Sequence, residues 1–225
     1  MQANAAIATL TPSEVVCLNG SKFAPKGGFG DKYQLLGEDL AVSKKQLGVQ
    51  MYAAAFVAEM GSGAIRLDVR EKKTMLGMKT VRQIFVETGQ PGVSWPPQTL
   101  EASIGPLSLQ LKANRASHEV KAVVASFLRE DAADPWIKAI DMVRNGLAQR
   151  GLLVRSEEKR LKIFTVTKFS LPPETAALAM TQLGVALDLL AGFQQSQRDL
   201  WNLLTSDIEV GINSRTTRTE TGTDD

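Results

Sequence analysis

Apolar positions spaced four, three and four residues apart predict a helix in the segment PWIKAIDMVRNGLAQR. These positions are Trp136, Ile140, Val143 and Leu147. Asp134 is placed to cap this helix, and Pro135 suits its first turn. Gly151 supplies the left-handed conformation that ends it. The pattern therefore predicts an amphipathic helix with defined ends.

β-branched and aromatic residues follow this helix at once, in two runs separated by polar residues. The runs are Leu152–Val154 and Leu161–Phe169, and the polar segment Arg155–Arg160 is predicted to be the turn between them. Helix, glycine and hairpin together are typical of the last part of a winged helix. We expect residues 134–169 to form one such unit.

The same order occurs earlier in the chain. Leu47–Met60 is apolar on nearly every side, which predicts a helix at the centre of the protein with neighbours all around it. Glycines break the helix, and alternating residues in Ala64–Val69 and Val81–Val86 then predict a second hairpin. The two units share no residue-by-residue identity, so the pattern indicates a shared architecture rather than a duplication.

Other helices have clear start signals. Thr11 and Glu14 have the spacing of a capping box, with Pro12 between them. Ser117 precedes an amphipathic run and is predicted to cap it. Pro172 and Pro173 are expected to open a long helix that continues or breaks near Gly192 and ends around Leu204. Its predicted buried face consists of Ala176, Met180, Leu183, Leu187 and Leu190.

These elements predict a mainly α fold: a single globular helical domain around a buried central helix, with small β-hairpins in winged-helix-like units. We expect a flexible N-terminus over residues 1–9, the domain over 10–205 and a disordered tail over 206–225. The tail is expected because SRTTRTETGTDD contains no apolar residue.

Composition narrows the function classes. A length of 225 residues suits one substantial core, and a net charge of +2 does not by itself imply nucleic-acid binding. The opening residues do not resemble a signal peptide, and the apolar run Leu47–Val57 is far shorter than the ~20 residues that span a bilayer. We therefore expect a cytoplasmic protein whose membrane contact, if any, is peripheral.

Candidate catalytic chemistry is sparse. The sequence has one histidine, His118, and one cysteine, Cys17, which lies in an apolar run and is expected to be a buried, inert thiol. Common zinc and Cys-His sites need more of these residues. Glu157 and Glu158 fall at the predicted hairpin tip, where solvated turn residues are expected. The sequence therefore favours a non-enzymatic binding protein without a metal or cofactor.

The second hairpin combines apolar and basic residues. Leu161, Ile163 and Phe164 stand among five cations and two carboxylates between residues 155 and 168. Apolar side chains ringed by Lys and Arg can enter the headgroup region of an anionic membrane. Alternatively, this apolar face packs on the core, as in any wing. The nearest basic candidates for headgroup binding are Lys159, Arg160 and Lys162.

The order of several segments resembles the Golgi phosphoprotein 3 family over residues 10–171. These segments are LTPSEVVCLN, a glycine-rich stretch, AAAFVAEM leading into GAIRLD, and LAQRGLLVRSEEKRLKIF before a proline. The resemblance implies a helical domain whose second hairpin dips into the membrane. It also implies binding of phosphatidylinositol 4-phosphate at the cytosolic face of the Golgi. Finally, it implies an adaptor that retains glycosyltransferases by binding their cytosolic tails.

The family's headgroup residues correspond only in part to this sequence. Lys44 stands where the family has a tryptophan, and Ala53 where it has an arginine. Two basic positions on the later helix fall near Ile137 and Ile140. Lys138 is the only basic neighbour of these two positions, and the headgroup candidates outside the second hairpin are Lys44, Lys45, Lys138 and Arg144.

A tandem winged-helix nucleic-acid-binding protein is the alternative. Such proteins place a basic helix in the major groove and basic wings on phosphates. The helix before the second hairpin offers Lys138, Arg144 and Arg150, with Asp141 among them. The central helix offers no basic residue between Leu47 and Met60, which makes this alternative the weaker hypothesis.

Overall fold

A buried helix occupies the centre of the protein, and the remaining elements surround it. The computed structural model describes residues 9–73, 80–90, 92–128, 133–160 and 164–215. Its helices are α1 Pro12–Leu18, α2 Lys44–Gly61, α3 Leu100–Ala113, α4 Val120–Ser126, α5 Pro135–Gln149, α6 Pro173–Ser196 and α7 Arg198–Asn213. Its strands are β1 Lys32–Gln34, β2 Ala41–Ser43, β3 Ile65–Lys73, β4 Thr80–Thr88, β5 Val154–Arg160 and β6 Phe164–Ser170.

Helix α2 is the predicted central helix. Residues 51–59 are all buried, and α1, α3, α5, α6 and α7 each contact the helix. Tyr52 and Phe56 are among the largest fully enclosed side chains, and burial of each such side chain stabilises the fold by about 1.5–3 kcal/mol. Neighbouring helices therefore cover this largely apolar helix on every side. The predicted fold class, mainly α with small β-hairpins, is confirmed.

Both predicted helix–hairpin units are present. Helix α2 leads through Gly63 into the antiparallel pair β3–β4, and α5 leads through Gly151 into β5–β6. Both glycines have positive φ angles, 78° and 76°, which favour a residue without a Cβ atom. A third, short pair, β1–β2, lies before α2 and was not predicted.

The position of the second turn differs from the prediction. The polar segment Arg155–Arg160 is strand β5, and Arg160 pairs with Phe164 at the outer end of the hairpin. Glu157 and Glu158 therefore lie within a strand, opposite Thr167 and Val166. The polar run has the appearance of a turn because Arg155–Glu158 are all exposed, so this strand shows no apolar alternation.

Two helices in the middle of the chain also differ from expectation. Helix α3 was not predicted, because Gly105 and Pro106 interrupt its apolar pattern; Pro106 is exposed on its outer face. Helix α4 starts at Val120 with Glu119 at its N-cap, so the predicted cap at Ser117 is wrong. His118 precedes this helix and is partly buried against the Phe85 ring.

The C-terminal boundary of the domain lies beyond residue 205. Helix α7 continues to Asn213, with Ile208 and Ile212 fully buried. The indole Nε1 of Trp136 donates a hydrogen bond to Asn213 Oδ1 at 3.0 Å, which ties α7 to α5. Residues 206–213 therefore belong to the domain and not to the predicted tail. Residues 1–8 and 216–225, also predicted to be disordered, lie outside the described residues.

Helix α6 buries a face that shares only Leu190 with the predicted one. Its buried residues are Thr175, Ala179, Ala186 and Leu190. Met180 and Leu187, both predicted to be inside, are 58% and 39% exposed. The helix is long and apolar enough to span a membrane, with a mean hydropathy of 1.6, yet only 17% of that window is buried. The surface of the protein thus carries a helix with the composition of an interior one.

Candidate anion-binding groove

A groove with a volume of about 1050 Å³ runs between α5 and the β5–β6 hairpin. We call it the α5 groove; its other walls are the β1 segment and the start of α3. The α3 wall lies close to α5 because Gly146 has no side chain. A Cβ atom at Gly146 would lie 2.2 Å from the carbonyl oxygen of Gln98, which lines the groove. Glycine at this position therefore sets the spacing of the two helices.

Arg144 is a buried cation at the wall of the α5 groove. Its side chain is only 8% exposed, and its guanidinium carbon lies 4.4 Å from the centre of the Tyr33 ring. Arg144 Nη2 donates a hydrogen bond to the carbonyl oxygen of Gln34 at 3.2 Å. Arg144 Nε has no hydrogen-bond partner among the described residues. A buried donor without a partner is costly, and this atom is enclosed by the protein rather than open to the groove.

The neighbours of Arg144 are one carboxyl and two weakly acidic groups. The Tyr33 hydroxyl donates a hydrogen bond to Asp141 Oδ1 at 3.3 Å. Burial raises the pKa of Asp141, while the nearby Arg144 charge and the Tyr33 hydrogen bond oppose that rise. Burial also raises the pKa of Cys17 to about 11, so this thiol stays protonated near neutral pH and is unreactive, as predicted.

Three further cations line the groove. Lys138 on α5 is exposed, and Arg155 and Lys168 extend from the two hairpin strands. Arg155 pairs with Glu157 at 3.0 Å and Lys168 with Glu158, but all four side chains are about half exposed, and such surface pairs are weak. Among the described residues that line the groove, Asp141 is the carboxylate whose negative charge opposes these cations. The groove is therefore electropositive.

Lys138 and Arg144 are the predicted headgroup residues that the groove brings together. Lys44 and Lys45 are not among its lining residues. Lys44 Nζ contacts Asp134 Oδ2 at 2.5 Å, which engages this cation in a structural pair between α2 and α5. Lys45 is exposed at the start of α2. Lys44 and Lys45 therefore lie apart from the groove, and their role in headgroup binding stays a prediction.

The predicted membrane-binding residues Leu161, Ile163 and Phe164 come directly after β5 in the sequence. Leu161, Lys162 and Ile163 fall between the two strands and lie outside the described residues. Phe164 begins β6, and Lys159 and Arg160 end β5, but the description does not extend to their side chains. The sequence places Arg155 and Lys168 among the basic residues of the second hairpin. It does not show that they lie beside α5, because their position depends on the strand register.

Helix α5 does not present the basic surface that the nucleic-acid alternative needs. Arg144 is buried, and Arg150 pairs with the buried carboxylate of Glu14. Of the three basic residues considered for a recognition helix, Lys138 alone is exposed. Two of the three cations are thus committed to the protein interior.

The positions implied by the family resemblance do not form a headgroup site. Ala53 and Ile140 are fully buried, and Ile137 is partly buried against the core. These three side chains provide packing and no charge.

Other polar clusters have structural contacts. His118 Nε2 lies 3.3 Å from Oε1 of Glu87 on β4. Glu87 also forms ion pairs with Arg70 on β3 and Lys112 on α3. Among the described residues, no group of three or more His, Cys, Asp or Glu side chains is arranged to hold a metal ion.

Comparison of the chain with protein-family models, with curated proteins and with solved structures gives no match, so the functional argument depends on the residues and geometry described above.

Proposed function

We propose that this protein is a non-enzymatic peripheral membrane-binding adaptor that binds anionic lipid headgroups in the α5 groove. The observation that carries the proposal is the set of four cations, Lys138, Arg144, Arg155 and Lys168, that lines one open groove. Charge-assisted hydrogen bonds from arginine to phosphate or carboxylate are among the strongest polar contacts in proteins. A phosphate group of a lipid supplies acceptors of this kind.

The β5–β6 hairpin gives the groove an orientation toward a membrane. Ser156, Glu157, Thr167 and Lys168 are exposed, so the middle of the hairpin extends beyond the core. The sequence Leu-Lys-Ile-Phe at residues 161–164 follows β5, and it combines apolar groups with a cation. Insertion of these apolar groups, together with headgroup contacts to Arg155 and Lys168, would give weak, reversible attachment.

The resemblance to the Golgi phosphoprotein 3 family suggests the finer details. Phosphatidylinositol 4-phosphate is the headgroup it implies, and cytosolic tails of membrane proteins are the implied clients. We propose a cytoplasmic location at a membrane surface, which would be the cytosolic face of the Golgi in a eukaryotic cell. The α5 groove offers a phosphate monoester four cations, Lys138, Arg144, Arg155 and Lys168.

Liposome flotation tests the proposal. The protein should float with vesicles that contain phosphatidylserine or phosphatidylinositol 4-phosphate and not with neutral phosphatidylcholine vesicles. Each cation near an anionic surface contributes about 1 kcal/mol, so Arg155→Ala/Lys168→Ala should weaken binding about thirtyfold. Leu161→Asp/Phe164→Asp should abolish flotation if the hairpin inserts.

The matched control is Lys22→Ala/Arg198→Ala. It removes one exposed lysine and one exposed arginine that do not line the groove, so net charge changes equally. Equal losses in the two double variants would show a non-specific charge effect and contradict the groove proposal. Absence of wild-type flotation with every anionic vesicle would contradict the membrane function itself.

The nucleic-acid alternative makes a different prediction. Binding to duplex DNA should weaken steeply with salt because phosphate contacts release counterions. We expect little such binding, since Arg144 and Arg150 are engaged inside the protein. Tight, salt-sensitive binding of duplex DNA in a fluorescence-anisotropy titration would favour the alternative over the membrane adaptor.

A further inference from the structure

One carboxylate lies among the cations of the α5 groove. Asp141 comes three residues after Lys138 and three residues before Arg144, so the three residues follow one another along one side of α5. Arg155 and Lys168 line the same groove from the β5–β6 hairpin. An anion that enters the groove therefore meets one negative charge as well as these cations.

The contacts of Asp141 compensate its charge only in part. Among the described residues, its hydrogen-bond donor is the Tyr33 hydroxyl, at 3.3 Å. Arg144 Nη2 donates its hydrogen bond to the carbonyl oxygen of Gln34, at 3.2 Å, and the guanidinium packs on the Tyr33 ring. The carboxylate thus adds negative charge to the groove without a tight ion pair to neutralise it.

Charged and titratable groups surround Asp141 on its own helix, on β1 and on α1. Burial raises the pKa of Asp141, whereas the Arg144 charge, the Tyr33 hydrogen bond and the Lys138 charge oppose that rise. Tyr33 on β1 and Cys17 on α1 stay neutral near pH 7, because burial raises the pKa of both groups. Asp141 is therefore the lining group that gains a proton as pH falls.

We propose that Asp141 is a proton-operated gate of the α5 groove: an anionic headgroup binds with uptake of a proton by this carboxyl. The inference rests on the proposed function, because it concerns the same groove and the same ligand. The charged carboxylate repels a phosphate, whereas the protonated form removes that repulsion and can donate a hydrogen bond to a phosphate oxygen. By linkage, binding tightens as pH falls, by at most about tenfold per pH unit for one proton.

An anionic membrane lowers the pH at its own surface. A surface potential of about −30 mV concentrates protons roughly threefold next to the bilayer. Asp141 would therefore gain its proton more readily at such a surface than in bulk solution. The gate thus favours attachment to strongly anionic membranes over weakly charged ones.

Asp141→Asn tests the gate because it removes the charge and keeps an oxygen that accepts the Tyr33 hydrogen bond. On vesicles of phosphatidylcholine and phosphatidylserine near neutral pH, the variant should need about tenfold less lipid than the wild type for half-maximal flotation. Between about pH 5 and pH 8, its binding should also change less with pH.

The matched control is Asp188→Asn on α6. Asp188 is exposed and does not line the groove, so the variant changes the net charge equally. Equal gains in the two variants would be a non-specific charge effect and overturn the gate. Wild-type flotation that Asp141→Asn leaves unchanged overturns the gate and leaves the groove proposal standing. Absence of wild-type flotation at every pH contradicts both.

Tyr33→Phe tests the same gate through a second residue. Loss of the hydroxyl removes a hydrogen bond that favours the charged form of Asp141, so the pKa of Asp141 should rise. The pH profile of vesicle binding should move to higher pH, whereas a merely structural role of Tyr33 would weaken binding without moving it. NMR titration of the ¹³C-labelled Asp141 carboxyl measures the pKa directly. A profile and a titration that do not move overturn the gate.

Discussion

Two buried carboxyl groups anchor the short helix α1. Glu101 on α3 is fully buried, and its carboxyl oxygens accept hydrogen bonds from Ser13 N at 2.8 Å and Ser13 Oγ at 2.9 Å. Glu14 accepts a hydrogen bond from the backbone N of Thr11 and pairs with Arg150. Two elements that are distant in sequence are thus joined to α1 by acidic side chains.

Glu101 should make stability depend on pH. Burial raises its pKa to about 7, so the folded protein retains this proton over a range in which the unfolded chain has lost it. The stabilisation that comes from this retained proton is therefore full below the ordinary glutamate pKa. It decreases as pH rises through about 7. Between about pH 5 and pH 8, the wild type should lose up to about 3 kcal/mol of unfolding free energy that Glu101→Gln does not lose.

Urea unfolding of both proteins at several pH values measures this difference. In the Glu101→Gln variant the side-chain amide oxygen can still accept a hydrogen bond from Ser13 N, so the variant should fold. Other raised carboxyl groups, such as Asp207, are common to both proteins and cancel in the comparison. Parallel pH profiles for the two proteins would show that the Glu101 carboxyl has no raised pKa.

At the scale of elements, Asp134 fixes where α5 begins. Its Oδ1 accepts hydrogen bonds from the backbone N atoms of Trp136 and Ile137 at 3.1 and 3.2 Å. Its Oδ2 contacts Lys44 Nζ at the start of α2. One side chain therefore caps α5 and joins the starts of the helices of both helix–hairpin units.

Substitutions at Asp134 should separate the stability that comes from the α5 cap from the stability that comes from the ion pair with Lys44. Asp134→Ala loses the cap and the ion pair and should cost about 1–2 kcal/mol, whereas Asp134→Asn retains a good cap and should cost about 1 kcal/mol less. Chemical denaturation of each variant, in wild-type and Lys44→Met backgrounds, measures the coupling. Equal destabilisation by Ala and Asn would show that the cap contributes nothing.

Helices were predictable where the sequence carries a start signal or a clear pattern of buried apolar residues. Helix α1 has its capping box, α5 has its apolar stripe, and α2 has apolar residues on every side. The sequence could not indicate strand β5, because both of its faces are polar and the pairing with β6 is made by the backbone. It misplaced the buried face of α6, because Met180 and Ala179 suit a core equally well.

The candidate site was predictable in part for the same reason. Lys138 and Arg144 were found from their place on a predicted helix. Their association with Arg155 and Lys168 depends on strand register and on the close approach at Gly146, neither of which has a local signal.

At the scale of the whole molecule, the C-terminal helix completes the core. Trp201, Leu204, Ile208 and Ile212 are buried along α7, and the helix packs against α2, α4 and α5. A Cβ atom at Gly211 would lie 2.6 Å from the carbonyl oxygen of Lys121, which shows how closely α7 approaches α4. The domain therefore depends on residues near its C-terminal end.

Truncation should show this dependence. A chain that ends at Thr205 loses Ile208 and Ile212 and should lose about 4 kcal/mol or more, because these side chains are fully buried. A chain that ends at Arg215 keeps both and should retain the wild-type melting temperature. Circular dichroism melts compare the three proteins. A cooperative, unshifted transition in the shorter chain would mean that residues 206–215 do not stabilise the core.

The exposed middle of the β5–β6 hairpin has a practical consequence. Because Arg155–Glu158 contact the core little and alternate across the strand, residues could be removed or added there in opposed pairs, two per strand, without a change of register at the base. A family of proteins with longer or shorter arms on an unaltered body could then be made. Their reach would grow by about 7 Å for each two-residue step.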